Sequence, residues 1–480
     1  MKPKFIILDY YTGLFYRFFD TYLDVYNAFL NKIGIDTEYY RFFIDPDNLD
    51  EGINIIKGLT KENFNYFILI KNPRNKDKII QKLKKYNIRF ITFFDCPGTD
   101  LVLDDFGFKK LYEYIKDTLD TELKNINIPE KLTAKWIIDN KLIDPRVNSL
   151  NSPNFKAKEI YFFPKKFILE KEHCSYKANI KNNKYFSNIV LPDGINKLGC
   201  SFCCDKREDP CKDTNIQEQI LDLMIKQIQL TKSYDNNFYK FSSSDQGFLY
   251  YIDKFCDLII ASNIDNIEIY IQSRVDTINI NKDKIEQTLK KIKGKNIKLV
   301  FYLIGFENFS QETLDIFNKG ITTDNITECI EFLDYLEDNY KDNFLASTGS
   351  HGFILFTPWT TMNDLRINLA YFEKYKFDRF CTNLHLKKLR LSEEMPLYYK
   401  AKKDGVLNQT RKDDYIHNIK YGYKEGLDWQ FQDPKVKKVY DYILVYSKVI
   451  KDPIEIIKKA IKKVENNFED NEKLCNRLTK

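Results

Sequence analysis

Four cysteines crowd one stretch of this chain, Gly199-Cys200-Ser201-Phe202-Cys203-Cys204-Asp205-Lys206-Arg207-Glu208-Asp209-Pro210-Cys211. The other six stand singly, at Cys96, Cys174, Cys256, Cys329, Cys381 and Cys475. Thiolates are soft ligands that suit zinc or iron–sulfur centres. Cys200 and Cys203 form a C-x-x-C pair whose sulfurs can converge on one centre. Cys211 can fold back over the Asp205–Pro210 turn as a third ligand. Cys204 is adjacent to Cys203, and neighbouring side chains diverge, so both are not expected on one metal. A four-thiolate zinc knuckle is one reading, but structural zinc sites bring two pairs together and no second pair exists. A reducible thiol pair is a third reading, without a thioredoxin-like context around it.

The elements that would position this loop alternate between strand and helix. Phe5–Asp9, Thr37–Phe43, Tyr66–Ile70 and Arg89–Asp95 read as strands, with helical stretches at Phe19–Ile33 and Lys76–Lys85. Such alternation predicts a parallel α/β sheet, a Rossmann-like domain over 1–125. Cofactors bind such sheets at the carboxyl ends of their strands, but the absence of G-x-G-x-x-G gives no support for a dinucleotide. Residues 126–184, with Pro129, Pro145, Pro153 and Pro164, read as a linker or wrap-around segment. Over 185–405 the alternation restarts. Strands are expected at Tyr185–Leu191, Phe238–Ser242, Ile267–Gln272, Ile297–Ile304, Gly352–Phe356 and Phe377–His385. Helices are expected at Ile216–Ile228, Phe248–Ala261, Lys282–Ile292, Ile326–Tyr335 and Asn363–Tyr375. Six such units suit a partial (β/α)6 TIM-type barrel, whose active site lies where strands end. Residues 406–480 read as a polar, helical C-terminal extension.

The 480 residues are 43 % hydrophobic and 15 % aromatic, a globular composition. The net charge of +6 is small and dispersed, and gives no clear nucleic-acid signal. No segment approaches the roughly 20 apolar residues of a membrane span. The first residues read as a strand rather than a signal peptide, so a cytoplasmic location with reduced thiols is expected.

A loop with Cys200-Ser201-Phe202-Cys203 at the mouth of a β/α barrel resembles the radical S-adenosylmethionine (SAM) enzymes, whose usual motif is C-x-x-x-C-x-aromatic-C. Further passages follow in family order. Phe241-Ser242-Ser243-Ser244-Asp245 ends the second strand. Gln272-Ser273-Arg274-Val275-Asp276 resembles an R-x-D turn after the third. Gly305-Phe306-Glu307, with Leu314 and Asn318-Lys319-Gly320, resembles G-x-E-S…L…N-K-G. Gly352–Thr361 and Met395–Ala401 resemble the fifth-strand loop and the T-P-L-Y ending. The set is most similar to the subgroup with an N-terminal cobalamin domain. That subgroup's D-x-H-x-x-G motif is absent, as it is from many members, and no histidine precedes His173.

The resemblance implies a 4Fe-4S cluster held by three thiolates, SAM on the open iron, an external electron donor and, through the first domain, cobalamin. It implies reductive SAM cleavage followed by methylation of an unactivated carbon. Epimerisation, cyclisation or rearrangement without cobalamin is the enzymatic alternative. A non-enzymatic zinc-binding interaction module is the alternative of another class. The substrate would be a small molecule or peptide. Phe202, Ser243, Ser244, Asp245, Arg274 and Glu307 are implied at the SAM site. The first cysteine position is filled by Asn196, which leaves Cys211 or Cys204 for the third thiolate. Cys200, Cys203 and Cys211 are preferred because Phe202 then directly precedes a ligand. The other register takes Cys200, Cys204 and Cys211. Cys174, beside His173, ranks behind these as a thiol that could reach the cluster region. Plainer roles stand beside these: Asp245 and Glu307 as helix caps, Arg274–Asp276 as a local ion pair, and His351 and His385 as structural histidines rather than proton donors.

Overall fold

The computed structural model describes residues 4–11, 21–43, 49–59, 66–70, 76–86, 88–93, 97–103, 107–119, 122–130, 132–146, 164–168, 174, 176–203, 214–234, 239–412 and 427–478. Its first sheet is wholly parallel. Strands β1 (Lys4–Tyr11), β2 (Asp36–Phe43), β3 (Tyr66–Ile70), β4 (Ile88–Thr92) and β5 (Leu101–Val102) lie in the order 2-1-3-4-5. The unbroken apolar runs of β1 and β3 follow from coverage on both faces. Phe5, Ile7, Phe67 and Leu69 pack in one core with Tyr26, Phe29, Phe108 and Leu111. Ile6, Leu8, Ile68 and Ile70 pack in another with Ile53, Ile56, Ile79 and Ile80. This is the doubly wound architecture expected for the first domain.

The second sheet is also parallel along its main path. It comprises β6 (Lys165–Lys166), β7 (Lys240–Ser243), β8 (Ile267–Arg274), β9 (Ile297–Glu307) and β10 (Phe344–Leu345), with β11 (Gly352–Phe353) pairing farther along β9. Two expected strands differ. Tyr185–Leu191 runs through turns, because the Asn183 side chain accepts from Tyr185 N at 2.9 Å and Phe186 N bonds back to Asn183 O. Phe377–His385 breaks into two 3₁₀ turns, each preceded by a left-handed residue, Lys376 (φ 47°) and Asn383 (φ 55°). The sheet's first strand is instead β6, inside the segment read as a linker.

Helix Thr214–Tyr234 serves both sheets. Leu221, Met224, Ile225 and Ile228 join the second sheet's core. Leu223 and Leu230 pack against the first. These are the two apolar stripes of one helix. Lys165 of β6 forms a fully buried ion pair with Asp24 of helix Thr21–Lys32. The C-terminal extension contains an antiparallel pair, Leu407–Lys412 with Leu427–Trp429, and helices Pro434–Tyr446 and Pro453–Leu478. Val436, Ile443, Ile456 and Ile461 place it in the second sheet's core. No helix among the described residues is long and apolar enough to cross a membrane.

Removing one partner of a buried ion pair leaves the other charge uncompensated. Lys165→Met is expected to cost about 3–5 kcal/mol in urea unfolding, and Asp24→Leu/Lys165→Met to recover much of it. Equal instability of the single and double variants would contradict this account.

Candidate functional site

The carboxyl ends of the second sheet's strands carry the residues singled out above. The centre is Arg274, the last residue of β8, only 3 % exposed. Its Nη1 donates to Cys200 Sγ at 3.4 Å, and its Nη2 to the Lys319 carbonyl at 2.7 Å. Nε and Nη2 grip Asp276 at 2.9 and 3.0 Å. The guanidinium lies over the Tyr176 ring, 4.1 Å from its centroid. Arg274 therefore makes the local ion pair and also reaches the cysteine loop. Burial pulls its pKa down, but Cys200, Asp276 and Cys174 outweigh this and hold it above its ordinary value. The Tyr176 phenol is pushed up to about 12, by burial first and then by Cys200.

The cysteine loop is fixed from below by the Asn318-Lys319-Gly320 passage. Asn318 Nδ2 donates to Gly199 O at 2.7 Å and to Ala178 O at 3.3 Å. Ser201 donates from its backbone to Phe317 O and from its hydroxyl to Ile316 O, both at 2.8 Å. Leu397 N bonds Ser201 O from the opposite side. Gly320 has φ +71°, and a Cβ there would lie 2.3 Å from the Tyr176 hydroxyl, so only glycine fits. Phe202 packs edge-on against Phe317, with Lys319 Nζ 5.8 Å from its centroid.

Glu307 ends β9 in the left-handed region, φ 66°, uncommon outside glycine and asparagine. Its Oε1 pairs with Lys319 Nζ at 2.8 Å, both side chains largely buried. A Cβ at Gly305 would stand 2.5 Å from that oxygen, which explains the glycine. The pair brings Glu307, Lys319 and Phe202 into one group beside Arg274.

Other residues have plainer roles. Asp245 spends its carboxylate within its own turn, accepting from Gly247 N at 2.9 Å and from the Tyr251 hydroxyl. Ser243 Oγ accepts from Asp245 N at 3.3 Å, and Ser244 O accepts from Gln272. His351 is a staple: Nδ1 accepts from Ile304 N, so Nε2 is the donor to Ala346 O. His385 is 7 % exposed and its Nδ1 has no hydrogen-bond partner. Cys256, Cys329 and Cys381 are fully buried in the apolar core. Cys204 and Cys211 lie outside the described residues. Sequence reasoning missed Tyr176 and underrated Asn318. The close approach demanded at Gly320 is the one signal that joins them.

Thiolates with an adjacent guanidinium suit an anionic iron–sulfur centre: Cys200 and half-buried Cys203 lie in one turn, with Cys203 N bonded to Cys200 O at 3.3 Å. Among the described residues no three His, Cys, Asp or Glu side chains are grouped to hold a metal ion. Cys200 and Cys203 are the two cysteines of this turn that would hold an iron–sulfur cluster together with a third thiolate.

Asn318→Ala should unclamp two carbonyls and destabilise the chain by about 1–3 kcal/mol in chemical unfolding. Burial pushes His385 down from 6.5 to about 4, so it is neutral in the fold. The unfolded chain then takes up the proton first, and stability falls as pH drops from 6.5 towards 4. His385→Leu should lose less thermal stability than the wild type between pH 7 and pH 5, and an equal loss would count against this.

No family model matches the chain. It is similar in structure to the cobalamin-dependent S-adenosylmethionine radical enzyme OxsB with aqua-cobalamin bound, at TM-score 0.50 and 13 % identity, covering 98 % of this chain and 71 % of that one. The radical S-adenosylmethionine methyltransferase TsrM from Kitasatospora setae aligns at TM-score 0.48 and 12 % identity, over 89 % of this chain and 86 % of that one. In sequence, 180 residues are 27 % identical to the chaperone protein HtpG of Rickettsia canadensis (strain McKiel), covering 33 % of this chain. The match spans only 29 % of that chaperone's length. The chain, two parallel sheets with a cysteine loop at the strand ends of the second, thus shares its fold with the solved structure of OxsB.

Proposed function

We propose that the chain is a radical SAM enzyme that cleaves S-adenosylmethionine at a 4Fe-4S cluster and uses cobalamin to methylate an unactivated carbon of a small molecule or peptide. The observation that carries this reading is the Arg274–Cys200 contact, a buried cation donating to a loop thiol at the strand ends. When bound, the cluster supplies the electron that splits SAM. Arg274 offsets the negative charge of the thiolates, and a hydrogen bond to ligand sulfur tunes reduction potential. Phe202 offers an aromatic face, and Glu307 holds Lys319 in place while offering carboxylate oxygen to a polar ligand. Ser244, partly buried just beyond β7, would meet the methionine part of SAM, with Ser243 and Asp245 holding its turn. The cobalamin assignment is supported by the 2-1-3-4-5 sheet, an order that binds cofactors at strand ends, and by the cofactor named for OxsB.

Anaerobic purification and reconstitution should give about four iron and four sulfide per chain, and reduction in the presence of SAM should release methionine and 5′-deoxyadenosine. One zinc per chain without SAM cleavage would instead identify a zinc-binding interaction module. Cobalt retained through gel filtration supports methylation. SAM cleavage without retained cobalt would redirect the assignment to epimerisation, cyclisation or rearrangement.

A further inference from the structure

The strand that leads into the cysteine loop is β6, Lys165–Lys166, rather than the expected Tyr185–Leu191. The first cysteine after β6 is therefore Cys174, eight residues beyond Lys166. The chain then makes an excursion whose two limbs meet at its base. Asn179 and Leu198 form an antiparallel bridge, Ile180 N bonds Lys197 O, and Gly199 N bonds Ala178 O at 2.9 Å. Asn318 holds the carbonyls of both limbs with one amide. With the excursion between its closed limbs set aside, the sequence reads Cys174-Ser175-Tyr176-Lys177-Ala178, then Gly199-Cys200-Ser201-Phe202-Cys203. That is C-x5-C-x-aromatic-C, close to the C-x-x-x-C-x-aromatic-C pattern in which Asn196 appeared to replace a cysteine.

We infer that Cys174, with Cys200 and Cys203, completes the thiolate set for the cluster, and that Cys204 and Cys211 stand outside it. The inference rests on the radical SAM reading and deepens it. Side-chain placement agrees with the backbone path. Cys174 is 6 % exposed, and Tyr176, two residues on, lies against Arg274, which also donates to Cys200. A buried guanidinium beside the Cys200 thiol is suited to compensating the charge that appears when that thiol ligates and loses its proton.

The test is anaerobic reconstitution of the full chain and of Cys174→Ala, Cys203→Ala, Cys204→Ala and Cys211→Ala, read by iron, sulfide and the electron paramagnetic resonance of the reduced cluster. Cys174→Ala and Cys203→Ala should lose the cluster, whereas Cys204→Ala and Cys211→Ala should keep it. Cys174→Ser guards against a folding defect. An oxygen ligand alters the cluster's resonance, whereas a merely buried residue leaves it unchanged. Wild-type iron and spectrum in Cys174→Ala or Cys174→Ser, or cluster loss in Cys204→Ala or Cys211→Ala, would overturn the assignment. A wild type that takes up zinc and no iron would overturn the radical SAM reading itself, and the inference with it.

Discussion

A guanidinium buried to 3 % exposure imposes its own architecture. A buried charge is tolerated only when it is paired and hydrogen-bonded. Arg274 meets that demand with four different partners: a carboxylate from its own turn, a backbone carbonyl from the passage after β9, an aromatic face from the segment after β6, and a thiol from the cysteine loop. Each partner comes from a different part of the chain. The condition for burying Arg274 is therefore the condition for assembling the site, and disturbing any one of these segments exposes a charge as well as a ligand.

Much of this was legible along the chain. The apolar runs of β1 and β3 and the amphipathic helix Lys282–Ile292 have periods that leave little choice, and they appear where the pattern puts them. The ordered passages at Arg274, Glu307 and Asn318 converge on one place. What could not be read was β6. Two consecutive lysines have no propensity for a sheet interior. Lys165 sits there because Asp24, 141 positions earlier, neutralises it, a tertiary effect that overrides local preference. The aromatic, β-branched run at Tyr185–Leu191 misled for the converse reason: turn-forming Asn183 captures the backbone locally before a strand can form.

The same Lys165–Asp24 pair joins the two sheets, and helix Thr214–Tyr234 joins them again with apolar stripes on two faces. That helix follows the cysteine loop in sequence. A single helix therefore packs against the cores of both sheets and fixes the geometry between them.

The excursion between Ala178 and Gly199 has a further consequence. Its ends are in contact and independently clamped, and loop-closure entropy grows only logarithmically, about 0.6 kcal/mol for each doubling of length. Ile180 and Phe186, both buried in the main core, help offset that cost. Residues can thus be added or lost between two functional side chains while their separation in space stays constant. Distance counted along the chain ceases to describe the site, and a ligand pattern that is continuous in three dimensions looks broken on the page.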